Sequence, residues 1–349
     1  MGLPQIIINF RTAGSSAVRR SARGQAVLLA EGEKAELYSF SEAEQAESAG
    51  LAEDCRRLLR LCFLGGPAKV LLYRYPKGEE AAALARCAPA AEGGWLCAPQ
   101  MDAQTVTAFV KSKRAEGRPL RAVVSSETGP DCAGIVNLTT QGITVLLEGK
   151  TESVDTADYC ARIAGILAGI SLRESATYYP LPEVTGFVRS EDEEADIAAG
   201  RLILDQGSEG ARIARAVTSL TTLSQPGDSA FQKIKIAEGV DLIRADIRSV
   251  FESEYVGKVL NDYDSKLLLV TAINSYFAGL EGSVLDTGRR NTAAVDFAAQ
   301  KRWLEGRGVD TAALSDTAIL SANTGSQVFL RANLRFADAM EDLTFEISM

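Results

Sequence analysis

Hydrophobic and polar positions alternate at both ends of the chain. Ile6, Ile8 and Phe10 alternate with Ile7, Asn9 and Arg11, and near the other end Val328, Leu330, Ala332, Leu334 and Phe336 alternate with Phe329, Arg331, Asn333 and Arg335. After a polar break at residues 338–342, Leu343, Phe345, Ile347 and Met349 alternate with Thr344, Glu346 and Ser348. A period of two predicts β-strands with one face to bury. Two readings are open for such terminal strands. Each folds back onto its own domain as an edge, or each is donated on a tether to a neighbour's sheet, where backbone hydrogen bonds supply the affinity. Residues 12–24 hold Ala13, Gly14, Ser15 and Ser16 with Arg19, Arg20 and Arg23 and little apolar mass, which is linker composition.

Between the ends the pattern changes twice. From Gln25, apolar runs at residues 26–30, 69–75, 94–98, 120–125, 134–138 and 143–147 predict strands. Helical periods at 41–62, 79–87 and 102–116 fall between them, followed by a helix capped by Asp155 that carries Ile163, Ile166, Leu167 and Ile170. Continuous apolar strands alternating with helices imply a largely parallel sheet covered on both faces. Two prolines and a glycine in 180–186 mark a boundary, so residues 25–185 are expected to form an α/β domain.

Beyond it, the acidic run after Ser190 reads as a helix start, where carboxylates complement the dipole. Residues 201–204 and 211–217 read as a hairpin. A helix over 232–251 places Ile236, Val240, Ile243, Ile247 and Val250 on one face, with Asp241, Arg244, Asp246 and Arg248 on the other. Residues 265–280 predict an apolar central helix, and 292–304 and 312–318 two more. With the strand at 328–336 they define an α+β domain over 186–336, leaving arms at 1–24 and 337–349.

Composition narrows the function. The 349 residues are 46% hydrophobic and 24% charged, with a formal net charge of −9. Such a charge opposes phosphate neutralisation, so neither nucleic acid nor an anionic membrane is expected as a partner. No apolar run reaches the roughly 20 residues that span a bilayer. Cys55, Cys62, Cys87, Cys97, Cys132 and Cys160 form no CxxC pair and read as buried reduced thiols. The absence of histidine removes the commonest general base and metal ligand.

Local motifs for chemistry fail on physical grounds. Gly149-Lys150-Thr151 lacks the first glycine of a phosphate loop, because Thr144 stands in its place. Gly306-Arg307-Gly308 lacks a third glycine and follows a helix, which suits a helix C-cap. Asp262 to Lys266 begins like a calcium loop but puts a lysine at a ligand position, so an N-cap at Asp264 or Ser265 is expected. No catalytic, cofactor-binding or metal-binding residue is assigned.

Several colinear segments carry a resemblance: residues 211–220 (ARIARAVTSL), 231–236 (FQKIKI), 241–248 (DLIRADIR), 255–258 (YVGK), 261–264 (NDYD) and 322–330 (ANTGSQVFL), with the opening Gly2-Leu3-Pro4, residues 20–24 and 164–169. Over essentially the whole chain the sequence resembles the tail sheath proteins of contractile phages and phage-tail-like bacteriocins of Gram-positive bacteria. The resemblance implies a structural protein with α/β plus α+β architecture. Its α/β domain would be subtilisin-like but inactive as a protease, followed by a C-terminal sheath domain, with extended strand arms at both ends.

The resemblance further implies a homo-oligomer of stacked hexameric rings around an inner tail tube protein. Baseplate and tail terminator proteins would be partners, in a virion or tail-like particle assembled in the host cytoplasm. Donor arms would be Ile6, Ile7, Ile8 and Phe10 at the start and Leu343, Phe345 and Ile347 at the end. The acceptor sheet would include Val328, Leu330, Leu334 and Phe336. Lys233, Lys235, Arg244 and Arg248 are candidate tube contacts. A type VI or other injection-machine sheath, and a carboxylate-dependent α/β enzyme, are the competing readings.

Overall fold

Along Gln25–Glu31 (β1), Ala26, Leu28 and Ala30 face one core while Val27 and Leu29 face a second, and all five are inaccessible to solvent. A strand buried on both faces must sit in the middle of a sheet with helices on either side. That is what the computed structural model contains. It describes residues 24–225 and 227–347, so the expected strand at Ile6, Ile7, Ile8 and Phe10 and the linker after it lie outside the described residues.

The remaining strands are β2 (Glu36–Phe40), β3 (Lys69–Tyr75), β4 (Trp95–Cys97), β5 (Ala122–Val124), β6 (Ile135–Leu138), β7 (Ile143–Leu147), β8 (Lys150–Val154), β9 (Val184–Gly186), β10 (Arg201–Leu202), β11 (Leu204–Gly207), β12 (Gly210–Ile213), β13 (Thr292–Val295) and β14 (Leu330–Asn333). Seven form one sheet in the order β10-β6-β5-β4-β1-β3-β2, parallel except for the edge strand β2. The helices Glu53–Phe63 and Thr156–Gly169 pack in one core, and Glu80–Ala91 and Ala103–Ala115 in the other. The mixed α/β class expected from the alternating runs is therefore observed.

Glycine sets the closest approach in the first core. A Cβ on Gly165 would stand 2.0 Å from the Cys62 carbonyl oxygen, and one on Gly169 2.0 Å from that of Gly65. Both obstacles are backbone and cannot rotate away. Gly165→Ala gains about 1 kcal/mol of helix propensity, but overpacking costs about 1–3 kcal/mol and reaches the upper end where backbone must move. The expected result is a net loss of about 1–2 kcal/mol in the urea unfolding of the dispersed subunit. An unchanged midpoint would show that the two helices can separate freely.

Two of the failed motifs fall at a turn and a helix cap. Leu147 pairs with Lys150 across Glu148 (φ 50°) and Gly149 (φ 78°), a two-residue hairpin with left-handed backbone at both positions, where the truncated phosphate-loop motif falls. Gly306 caps the helix Phe297–Glu305. Asp262, rather than Asp264 or Ser265, caps Tyr263–Leu280 by accepting the Ser265 N–H at 2.8 Å.

Contacts divide the described residues into two units: residues 24–245 together with the segment from Asp338, and Asp246–Ala337. The expected boundary at 186 is displaced. Residues 186–245 join the first unit because β10 pairs with β6, Pro180 bridges Arg212 and the Ser219 N–H donates to the Ile135 carbonyl. The expected hairpin also shifts, since Arg201 and Leu202 leave for the large sheet and β11 pairs with β12. Within the second unit, residues 292–295 form β13 instead of helix. Asp296 starts the helix at Phe297 by accepting the Ala299 N–H, which frees the four residues before it to pair with β14. No helix among the described residues is long and apolar enough to cross a membrane.

Candidate assembly interface

The expected acceptor strand is shorter than its alternation suggests. Only residues 330–333 form β14, antiparallel to β13 with Leu330 opposite Val295 and Asn333 opposite Thr292. Val328 precedes it, Leu334 follows it, and Phe336 makes a single bridge to Leu285. The strand ends because the Asn291 side-chain oxygen takes the Arg335 N–H at 2.9 Å and Asp286 N–H donates to the Arg335 carbonyl. Val328, Leu330, Leu334 and Phe336 are all half-buried.

The hydrogen-bond phase tells which groups face outward. Asp296 N–H donates to the Phe329 carbonyl at 2.9 Å, and in an antiparallel pair alternate residues share that orientation. Arg331 and Asn333 therefore turn their backbone groups towards β13, while Leu330 and Ala332 turn theirs away. On β13 the outward-facing residues are Ala293 and Val295, and Ala293 is the one capped. There the Asn274 side chain closes the edge, its oxygen accepting the Ala293 N–H at 2.7 Å and its NH2 donating to the Ala293 carbonyl at 3.2 Å. Among the described residues β14 pairs only with β13, so one edge is blocked by an amide and the other offers a strand-sized ladder.

In the first unit, the chain end is held and then released. Glu341 accepts hydrogen bonds from Ser175 and Thr177, each at 2.7 Å, and pairs with Arg215 at 3.3 Å and Lys233 at 3.4 Å. Asp338 takes Lys233 at 2.5 Å, and Asp342 takes Arg215 at 2.6 Å. Burial by itself would raise the Glu341 pKa, but the two hydroxyls and two cations hold it below the ordinary carboxylate value. Past this clamp, Leu343, Phe345 and Ile347 are 89, 76 and 75% exposed, and residues 343–347 take no regular secondary structure among the described residues.

The candidate tube contacts on the helix Ile234–Val250 are largely engaged elsewhere. Lys235 is buried with its ammonium on the Leu172 carbonyl, and burial lowers its pKa. Lys233 belongs to the clamp. Burial works against its charge, yet Asp338 and Glu341 keep its pKa above the ordinary value. Arg248 pairs with Glu252 at 2.7 Å, and Arg244 is exposed. The helix face expected to be polar is in part an internal charge seam: Asp241 receives both arms of Arg114 at 2.6 and 3.0 Å, and Glu238 pairs with Arg121, which lies over the Trp95 ring. Lys233 and Lys235 are thus withdrawn as surface contacts, because each is consumed within its own unit.

Sequence reading missed Asn274, Ser175 and Thr177. Their partners lie 19 to 166 positions away, and no local period marks such residues. The three carboxylates at 338, 341 and 342 were visible as a polar break; what they bind was not.

Comparison with known proteins agrees with this architecture. Residues 227–349 match the Phage tail sheath C-terminal domain. The tail sheath protein of Clostridium phage phiCD119 is 29% identical over all of this chain and 99% of that protein, and the tail sheath protein of Staphylococcus phage Twort is 27% identical over 48% of this chain and 32% of its own length. Among solved structures, the sheath tail protein Lin1278 from Listeria innocua superposes with a TM-score of 0.67 at 15% identity, covering 94% of this chain and 99% of that one. The contracted helical sheath of the anti-feeding prophage gives 0.65 at 14% identity, over 94% and 93%. The sequence likeness to a tail sheath protein thus runs end to end, the fold is shared over nearly the whole length, and residues 227–349 carry the phage tail sheath C-terminal domain.

Proposed function

We propose that the chain is the structural subunit of a contractile sheath, polymerising as stacked hexameric rings around an inner tube and shortening to drive that tube through a cell envelope. Subunits are joined by strand exchange. The observation that carries this reading is the pairing, within one chain, of a β14 edge left unextended among the described residues with an apolar end segment that its own unit leaves in solvent. Leu343, Phe345 and Ile347 supply one donor strand, and Ile6, Ile7, Ile8 and Phe10 a second.

The clamp at 338–342 gives the donated strand a fixed root, so neighbours stay joined while their domains move. Contraction releases conformational energy stored at assembly, needs no nucleotide or catalytic group in the subunit, and asks only a few kcal/mol of each repeated contact. In this reading the α/β unit has subtilisin-like topology and a purely structural role. Arg244 and Arg248 remain the candidates to face the tube, and baseplate and terminator proteins bound the polymer.

Electron microscopy of the purified protein, alone and with the inner tube protein, is the test. Tubes or stacked rings with sixfold symmetry are expected. Monodisperse small oligomers under both conditions would overturn the proposal.

A further inference from the structure

A cavity of ≈ 520 Å³ opens within the unit Asp246–Ala337, beside the approach to β14. Its walls are apolar: Phe251, Tyr255, Val256, Leu260, Leu269 and Val328. The helix Ile234–Val250 ends in a π-helical turn, Phe251–Tyr255, which stacks the two rings at 5.9 Å. Such turns recur at functional sites. Leu260 is 81% exposed and Val256 56%, so the mouth is lined by apolar surface that the unit does not cover.

Two polar atoms in the wall are left over. The Tyr255 hydroxyl, on a side chain only 8% exposed, and the Asn261 side-chain oxygen are buried with no hydrogen-bond partner among the described residues. The other end of Asn261 is used three times. Its NH2 donates to Thr324 Oγ1 at 3.2 Å, the Gly325 carbonyl at 2.6 Å and the Gln327 carbonyl at 3.0 Å, which fixes the amide's orientation and makes the orphan an acceptor. An unsatisfied buried acceptor is unfavourable until a donor arrives. An acceptor and a hydroxyl among apolar walls, next to a strand that can take another strand, suit an extended peptide that brings backbone N–H groups and alternate apolar side chains.

We propose that this cavity is the socket for the end of a donated C-terminal segment from a second copy of the chain, seating Phe345 and Ile347. The inference rests on the strand-exchange reading and adds a site and a direction to it. Val328 lies before β14, so a segment that finishes in the socket runs antiparallel to β14. Leu343 to Ile347 and Val328 to Ala332 each span four residue steps, about 13 Å at strand rise. Ile347 in the socket therefore brings Leu343 level with Ala332. Charge agrees with this alignment: exposed Arg331 flanks the path, and the segment brings Glu346.

The test uses full-length chains bearing one introduced cysteine each, because the six native cysteines are buried. Leu260→Cys and Phe345→Cys chains are mixed, polymerised and treated with a short bismaleimide; Ala332→Cys with Leu343→Cys reports strand addition alone. The expected result is a covalent dimer from both mixtures. A dimer from the second mixture only leaves strand exchange standing and overturns the socket, whereas none from either, in polymers that form, overturns both. A cross-link within one dispersed Leu260→Cys/Phe345→Cys chain assigns the cavity to the chain's own end and also overturns the proposal. Independently, Leu260→Asp is expected to leave unfolding of the dispersed subunit unchanged while raising the concentration needed for polymerisation at least tenfold. An unchanged concentration overturns the socket.

Discussion

Truncation after Asp342 is expected to abolish polymerisation at concentrations a hundredfold above those at which the intact chain assembles, while the dispersed subunit unfolds as before. The cut spares the clamp, since Asp338, Glu341 and Asp342 all remain, and removes Leu343, Phe345 and Ile347, which are at least 75% exposed and support nothing in their own unit. In a neighbour's sheet each of those side chains would gain about 1.5–3 kcal/mol by full burial, and the added ladder about 0.5–1.5 kcal/mol per hydrogen bond. Ordering the segment takes back part of that. A net 3 kcal/mol per contact suffices, since about 1.4 kcal/mol is tenfold in affinity. Light scattering against concentration gives the first readout, and thermal unfolding the second, with a midpoint within about 2 °C of the intact chain. A truncated chain that still forms sheath-like polymer would remove the C-terminal segment from the interface.

The donor segment and the acceptor edge were unequally legible in the sequence. The exposed row at 343, 345 and 347 was plain, because a period of two needs only neighbouring residues to be seen. So were the central strands, whose unbroken apolar runs leave a buried parallel sheet as the consistent solution. The acceptor was harder. Alternation over 328–336 promised nine residues of strand, but pairing stops where Asn291 captures Arg335, a contact across 44 positions. Asn274, which closes the opposite edge, sits on a helix and has no pattern to announce it. The charged face of the helix Ile234–Val250 misled for the same reason: a solvated cation and one consumed by Asp338 or by the Leu172 carbonyl read identically in one dimension. Domain limits failed because β10, two residues long, is too short to show a period, yet it carries the following segment into the first unit.

Glu183→Gln is expected to cost the dispersed subunit about 3–5 kcal/mol, the range for breaking a buried ion pair from one side. Glu183 accepts from Arg162 Nε at 2.6 Å and from the Tyr159 hydroxyl at 2.7 Å, and the side chains of the pair are 6 and 3% exposed. The pair ties the helix Thr156–Gly169 to the segment entering β9, where the Glu183 carbonyl also takes the Leu146 N–H of β7. With glutamine in place, a guanidinium stays in the core without its counter-charge, and its Nη1 already lacks a partner among the described residues. Burial acts to raise the Glu183 pKa, but the hydrogen bond and charge of Arg162 outweigh it and hold the value below the ordinary one. A carboxyl depressed on folding contributes fully above its unfolded value, about 4.3, and the contribution is lost as pH falls through the lower folded value. The penalty of the substitution should therefore be full at pH 7 and shrink as acid protonates the wild-type carboxylate. Replacing both partners, Arg162→Met with Glu183→Leu, should recover most of the loss, because an apolar pair leaves no charge to solvate. Urea unfolding at pH 7 and at pH 3 decides it: a single-variant penalty under about 1 kcal/mol, or one independent of pH, would mean that water reaches the pair and that the core is held by its apolar layers alone.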